Sequence, residues 1–193
     1  PFSAHWKGDA NPLFNTDERF SQYGRLAPKT KADFAFITHM LYQLSDNGIM
    51  ACIVPHGALY RGGAEKTIRK YLVKNLNCLD AVIGLPGNIF YGTDIETCIL
   101  VFKKCREQNE DILFIDGSNE FQKGDKQNII LNENVTRIYE IFKSREEIDR
   151  ISHKASLQEI DENDYYLNIY RYVKQIEQDT PINPNEQATL FRN

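Results

Sequence analysis

The stretch Lys31–Gly57, KADFAFITHMLYQLSDNGIMACIVPHG, decides how the fold is read. Phe34, Ile37, Leu41 and Leu44 fall on one helical stripe. Thr30 suits the N-cap, Asp33 the first turn, and Gly48 the C′ position that needs a positive φ. Ile49–Val54 is apolar apart from Cys52, which itself behaves as a small hydrophobe. Too short for a helix after that glycine, the run predicts a strand covered on both faces. A helix feeding directly into a buried strand is the unit from which an α/β sheet is built.

The 193 residues suit one domain with an appended element. Apolar residues make up 41% and charged residues 26%, an ordinary globular balance that permits a sizeable core. The net charge of -4 argues against a general polyanion binder. It leaves room for a local basic face, because nucleic-acid binding follows the distribution of charge. No apolar run approaches the roughly 20 residues needed to cross a bilayer, and no signal peptide opens the chain. Cys52, Cys78, Cys98 and Cys105 form no C-x-x-C pair, which points to reduced core cysteines of a cytoplasmic protein. His5, His39, His56 and His153 show no metal spacing.

Outward from the central unit, residues 7–31 are rich in Gly, Asn, Asp and Pro and read as a long loop. A second helix is predicted over residues 64–75, with Ile68 and Leu72 inside and Leu76 closing it. Lys66, Arg69, Lys70 and Lys74 give its outer surface a basic character, either a solvated face or a DNA contact. Residues 79–85 and 97–102 are apolar strands. Their connection holds no helix, so an antiparallel pair is expected. Within it Phe90 and Tyr91 stand side by side, either as core plugs or as a binding platform. Residues 112–115 read as an edge strand, and 133–150 as a third helix with Val135, Ile138, Tyr139 and Phe142 on one side. Short mixed elements fill 152–173, where tyrosines crowd, and 174–193 reads as a polar tail. The chain holds no P-loop, G-x-G-x-x-G, nucleophile elbow or H-E-x-x-H.

Several stretches, in order, resemble one known family. They are Pro1-Phe2-Ser3-Ala4-x-Trp6, Asp17-Glu18-Arg19-Phe20, Tyr23-Gly24-x-Leu26-Ala27-Pro28-Lys29 and Lys31-Ala32-Asp33-Phe34-Ala35-Phe36. Pro55-His56-Gly57, Arg61-Gly62-Gly63-Ala64-Glu65, Ile83-Gly84-Leu85-Pro86 and Phe90-Tyr91-Gly92-Thr93 complete the set. Together they resemble the modification (M) subunit of type I restriction-modification systems, an N6-adenine DNA methyltransferase that uses S-adenosylmethionine. The likeness runs from residue 1 to about residue 173.

That resemblance implies a partial Rossmann-like methyltransferase fold: a mixed sheet with an antiparallel strand, helices on both faces, and a C-terminal helical extension. Residues 1–130 would be the C-terminal half of the methyltransferase domain, 131–173 the extension and 174–193 the tail. The family's target-base motif is Asn-Pro-Pro-Phe followed by Ser and a nearby Trp. Pro1 and Phe2 match its last two positions and would be catalytic; Asn11-Pro12-Leu13-Phe14 is a decoy, since no buried strand can precede it. Such a motif accepts the hydrogens of the adenine amino group, while aromatic faces hold the extruded base. Phe2 is implied as one such face and Phe90 as the second, with Tyr91 beside it. Arg61 joins Lys66, Arg69 and Lys70 of the basic helix as a candidate DNA contact, and Pro28, Lys31 and Asp33 would lie near the cofactor or target pocket. The family's cofactor loop precedes its motif, so no cofactor-binding residue is expected in this chain, and the chain alone is expected to be inactive. The implied partners are double-stranded DNA, the DNA-specificity subunit and the motor-nuclease (restriction) subunit. The alternative is a non-catalytic assembly module for those two subunits.

Overall fold

Two apolar strands that can be neighbours on both sides draw the rest of the chain into one sheet. In the computed structural model, which describes residues 2–108 and 110–173, these are β2 (Leu79–Gly84) and β3 (Thr97–Lys103). With β1 (Ile49–Pro55), β4 (Ile112–Asp116) and β7 (Ser152–Ala155) they form a five-stranded mixed sheet of order β1-β3-β2-β4-β7. β3 is antiparallel to both β1 and β2, β2 is parallel to β4, and β4 is antiparallel to β7. The helix-free connection between β2 and β3 therefore makes the expected antiparallel pair. Two short strands, β5 (Gln122–Lys123) and β6 (Asn128–Ile129), form a separate hairpin.

Alternation along the strands assigns side chains to two layers. Cys98, Leu100 and Phe102 of β3 and Ile112 and Phe114 of β4 face the larger core. That core takes Phe34, Ile37 and Leu41 of α2 (Asp33–Gln43), together with Ile68 of α3 (Gly63–Lys70) and Leu72 and Val73 of the π turn that prolongs it. Ala81, Ile83, Val101, Leu113 and Ile115 face the other way, toward Ile138 of α4 (Asn132–Ser144). Helices thus lie on both faces of the sheet.

Several local expectations change. Thr30 does not cap α2. Ala32 occupies the N-cap with no side-chain hydrogen bond, while Asp33 stands in the first turn as expected. Gly48 has no positive φ; instead its missing Cβ makes room for Leu44, whose Cγ would lie 2.5 Å away. β1 is not covered on both faces. It is an edge strand among the described residues, and Ile49 and Ile53 remain 61% and 45% exposed. β4 is not an edge, because β7 pairs with it. Leu76 does close the second helix as its C-cap, but its side chain is exposed, while Val73 one turn earlier is buried. The third helix ends at Ser144, where Arg145 adopts a left-handed conformation.

Residues 131–173 contribute more than helices. β7 completes the sheet, and Tyr172 of α6 (Ile169–Tyr172) stacks on Phe114 with ring centroids 4.0 Å apart. The opening loop is also organised. Trp6 packs with Phe14 and Phe20, the latter on the short α1 (Glu18–Ser21), and its Nε1–H donates to the carbonyls of Ala27 and Pro28. Asn11, in the decoy stretch, simply caps a short 3-10 turn by accepting from the Leu13 N–H. No helix among the described residues is long and apolar enough to cross a membrane.

Candidate active site

The C-terminal end of β1 opens the pocket. There Pro55-His56-Gly57 leaves the sheet, α2 begins next to the start of the chain, and the β2–β3 connection folds over. A cavity of about 470 Å3 lies between them, lined by Phe2, Ser3, Lys31, His56, Tyr60, Arg61, Ile95 and Glu96 among others. Phe2 and Phe90 meet at its edge, ring centroids 5.1 Å apart and planes at 79°. The two aromatics named from the resemblance are thus brought together from distant parts of the chain. Pro1 lies outside the described residues, as does the tail 174–193.

The backbone beside Phe2 is held by one carboxylate. Asp33, 6% exposed at the start of α2, accepts from the Ser3 N–H at 2.7 Å and from the Ser3 hydroxyl at 3.2 Å. Ser3 has φ of 49°, a left-handed conformation that such anchoring can hold. The Ala32 N–H also donates to the Ala4 carbonyl. Arg61 completes the network, 3.5 Å from Asp33 and 3.2 Å from Glu65. Gly57 makes this possible, since a Cβ there would lie 2.5–2.7 Å from the Arg61 guanidinium. Burial pushes the Glu65 carboxyl above its ordinary range, against the opposing pull of Arg61. His56 is pushed below its ordinary value by burial, although Glu96, 3.6 Å from its Nδ1, works the other way.

The β2–β3 connection is braced on several sides. The Asn128 N–H donates to the Asn88 carbonyl, and the Gln127 amide to the Ile89 carbonyl. Phe90 bridges to Thr93, and Gly92 takes φ of 75° between them. Phe90 turns toward Phe2. Tyr91, its neighbour, is 90% exposed, so these two aromatics do not share one surface.

The four basic residues do not form a common face. Arg61 is turned inward to its two carboxylates. Arg69 is 3% exposed and donates to the carbonyls of Ala58, Arg61 and Tyr165. Enclosed in this way, it has no surface to offer a phosphate, and burial holds its guanidinium down to about 10. Lys66 pairs with Asp164, and Lys70 lies 5.0 Å from the Tyr165 ring. Of the implied neighbours, Lys31 lines the cavity, Asp33 anchors Ser3, and Pro28 supplies its carbonyl to Trp6 and to the Lys31 N–H. The roles of Asp33 and Gly57 are hidden in the sequence; their only signal is the company of Ser3 and Arg61 within the ordered motif set.

Residues 1–180 match the N-6 DNA Methylase family. The chain belongs to that family. The type I restriction enzyme MpnII methylase subunit of Mycoplasma pneumoniae is 44% identical over 173 residues, 90% of this chain and 32% of that protein. The MjaVII methylase subunit of Methanocaldococcus jannaschii is 32% identical over 189 residues, 95% of this chain and 32% of the relative. A solved type I methyltransferase subunit from Streptococcus thermophilus superposes with a TM-score of 0.85 at 52% identity, covering 90% of this chain and 36% of that one. The chain thus spans about a third of the length of these N-6 DNA methylase relatives. The resemblance to type I modification subunits holds, and with it the Rossmann-like methyltransferase fold.

Proposed function

We infer that this chain forms the target-base side of a type I modification subunit that methylates adenine N6 in double-stranded DNA. The observation that carries the reading is the contact of Phe90 with Phe2, which lines the cavity of about 470 Å3. An edge-to-face pair is worth about 0.5–1.5 kcal/mol. Stacking of one base on an aromatic is worth about 1–3 kcal/mol. Stacking an extruded adenine thus offsets the loss of the ring pair and part of the cost of extrusion. Asp33, through Ser3, keeps Phe2 where the base arrives.

S-adenosylmethionine supplies the methyl group in such an enzyme. The described residues do not fit its site. No G-x-G-x-x-G turn occurs among them, and the buried carboxylates beside the pocket, Asp33 and Glu65, already serve Ser3 and Arg61. In the whole subunit the donor is held by residues outside this chain, and the chain alone does not turn over. Calorimetry with residues 1–193 and S-adenosylmethionine is expected to give no binding, and a micromolar constant would contradict this division of labour. The central test is Phe90→Ala in a full-length subunit assembled with its specificity partner. Methyl transfer to adenine, followed with labelled donor, is expected to fall by about 5- to 150-fold, in line with ~1–3 kcal/mol of lost stacking. Undiminished transfer would remove Phe90 from the pocket's chemistry.

A second reading, an assembly module for the specificity and motor-nuclease subunits, is favoured by one feature. Ile49, Ile53, Ile99, Val135, Tyr139 and Phe142 line an apolar groove of about 450 Å3 on the face of the sheet opposite α2. Ile53→Asp should abolish co-purification of the specificity subunit if that groove is the contact. Retained co-purification would sink this reading and leave the first untouched.

A further inference from the structure

A large aromatic ring in water needs a reason when the backbone beneath it is fixed. Tyr91 is 90% exposed. Its turn is not a loose one. Phe90 and Thr93 bridge across it, the Ile95 N–H donates to the Thr93 hydroxyl at 3.2 Å, and Gly92 supplies the positive φ that closes it. The base of the connection is pinned by the Leu85 N–H on the Thr97 carbonyl and the His56 N–H on the Glu96 carbonyl. Phe90 turns in to Phe2, a residue of the pocket lining, and so fixes the tip beside the pocket, while the adjacent Tyr91 ring points into solvent.

Extruding a base leaves two problems in the duplex. The neighbouring bases lose a stacking partner, and the orphaned partner base faces an empty space. Proteins that unstack DNA commonly insert a large side chain at such a step. We propose that Tyr91 is that side chain, entering the duplex at the vacated position while Phe2 and Phe90 receive the adenine. This rests on the base-pocket reading above and goes beyond it, because it separates two adjacent aromatics into a pocket wall and a wedge. A phenol is well matched to that position. Its ring stacks on either neighbour without sequence preference, and its hydroxyl can bond the orphaned base.

The test uses a full-length subunit in complex with its specificity partner, and duplexes carrying 2-aminopurine in place of the target adenine. The fluorescence of that base rises when it leaves the stack. Tyr91→Ala is expected to lower the extruded fraction and the kcat/KM for methylation of the adenine duplex by about tenfold, the size of one lost stacking contact. Tyr91→Trp is expected to stay within about threefold of the parent. Removing the base opposite the target abolishes the pairing that the wedge must offset. On that duplex Tyr91→Ala should therefore recover to within about threefold of the parent. An equal loss on both duplexes, or no loss on either, overturns the proposal. Failure of the underlying reading looks different: the unmodified subunit would show no fluorescence rise, and Phe90→Ala would be silent on both duplexes. Tyr91 buries almost nothing, so Tyr91→Ala does not threaten folding, and an unchanged urea midpoint verifies that.

Discussion

Removing the Asp33 carboxylate should disable the site without unfolding the protein. Asp33 makes three polar contacts, at 2.7, 3.2 and 3.5 Å, and they are not equal. The bond from the Ser3 N–H is short and charge-assisted, worth about 1.5–3 kcal/mol. That from the Ser3 hydroxyl is longer, and Arg61 retains Glu65 when Asp33 is lost. Most of the effect therefore falls on Ser3, at about 2 kcal/mol. Ser3 also holds a left-handed φ that costs about 1 kcal/mol, which the freed backbone can release. Asp33→Ala should thus shift the Phe2–Ser3 segment away from its working geometry by about 2–3 kcal/mol. In a full-length subunit that corresponds to a fall in kcat of about 30- to 150-fold. The KM for DNA should stay within about threefold, because the lost contact orders the base's seat and does not hold the duplex. Asp33→Asn keeps an acceptor for the Ser3 N–H without its charge, so a loss of about fivefold is expected. Single-turnover methyl transfer, with the urea midpoint measured alongside, distinguishes this from unfolding. Transfer by Asp33→Ala within about twofold of the parent would refute the anchoring role.

Other substitutions probe the same architecture. Arg69→Met should lower the melting temperature by several degrees, since three carbonyls lose a buried donor at ~1 kcal/mol or more each. Lys66→Ala on the exposed side of the same helix should leave it unchanged; equal effects in calorimetry would contradict the contrast between buried and surface cations. Gly57→Ala should push the Arg61 guanidinium off Asp33 and Glu65, costing about 1 kcal/mol in urea unfolding; an unchanged midpoint would mean that Arg61 relocates without loss. His56 has a folded pKa below its unfolded value of 6.5, from burial against Tyr170, with Glu96 and Asp116 partly opposing. The folded state then binds fewer protons, so the associated stability is present above pH 6.5 and is lost as pH falls through 6.5 toward the lower folded value. His56→Gln should flatten that part of the pH–stability profile, and an unaltered slope would rule His56 out as its source.

The parts of the fold that are legible in the sequence are those whose cover is local. β2 and β3 are apolar at nearly every position because both have a strand on each side and a layer on each face. α2 announces itself through Phe34, Ile37 and Leu41, all buried as the stripe requires. β7 cannot be read in the same way. Ser152-His153-Lys154-Ala155 has no strand composition, and it is extended because β4 offers it an edge. Glu147 and Glu159 also hold His153 from both sides at 3.0 and 2.9 Å. Missing β7, a sequence reading must leave β4 at the edge and detach Tyr165 and Tyr172 from the core that they complete.

The same omission explains the basic helix. On helical spacing Arg69 flanks Ile68 and belongs to the solvent side. The carbonyls of Ala58 and Arg61 take its guanidinium from one side, and the Tyr165 carbonyl, carried in by the turn after β7 and α5 (Leu157–Glu162), closes over it from the other. Asp33 escapes notice for a related reason. An acidic residue in the first turn of a helix is explained well enough by the helix dipole, so nothing local hints that its oxygens face Ser3. Phe90 stays undecided between plug and platform on local sequence alone, and its contact with Phe2 shows why. It is both half-buried and at the pocket rim, a position that composition cannot separate from either role. β1 shows the opposite mismatch. Ile49–Val54 carries the composition of a strand with two covered faces, yet the described residues cover only one. An apolar run of that kind costs solubility unless something packs on it.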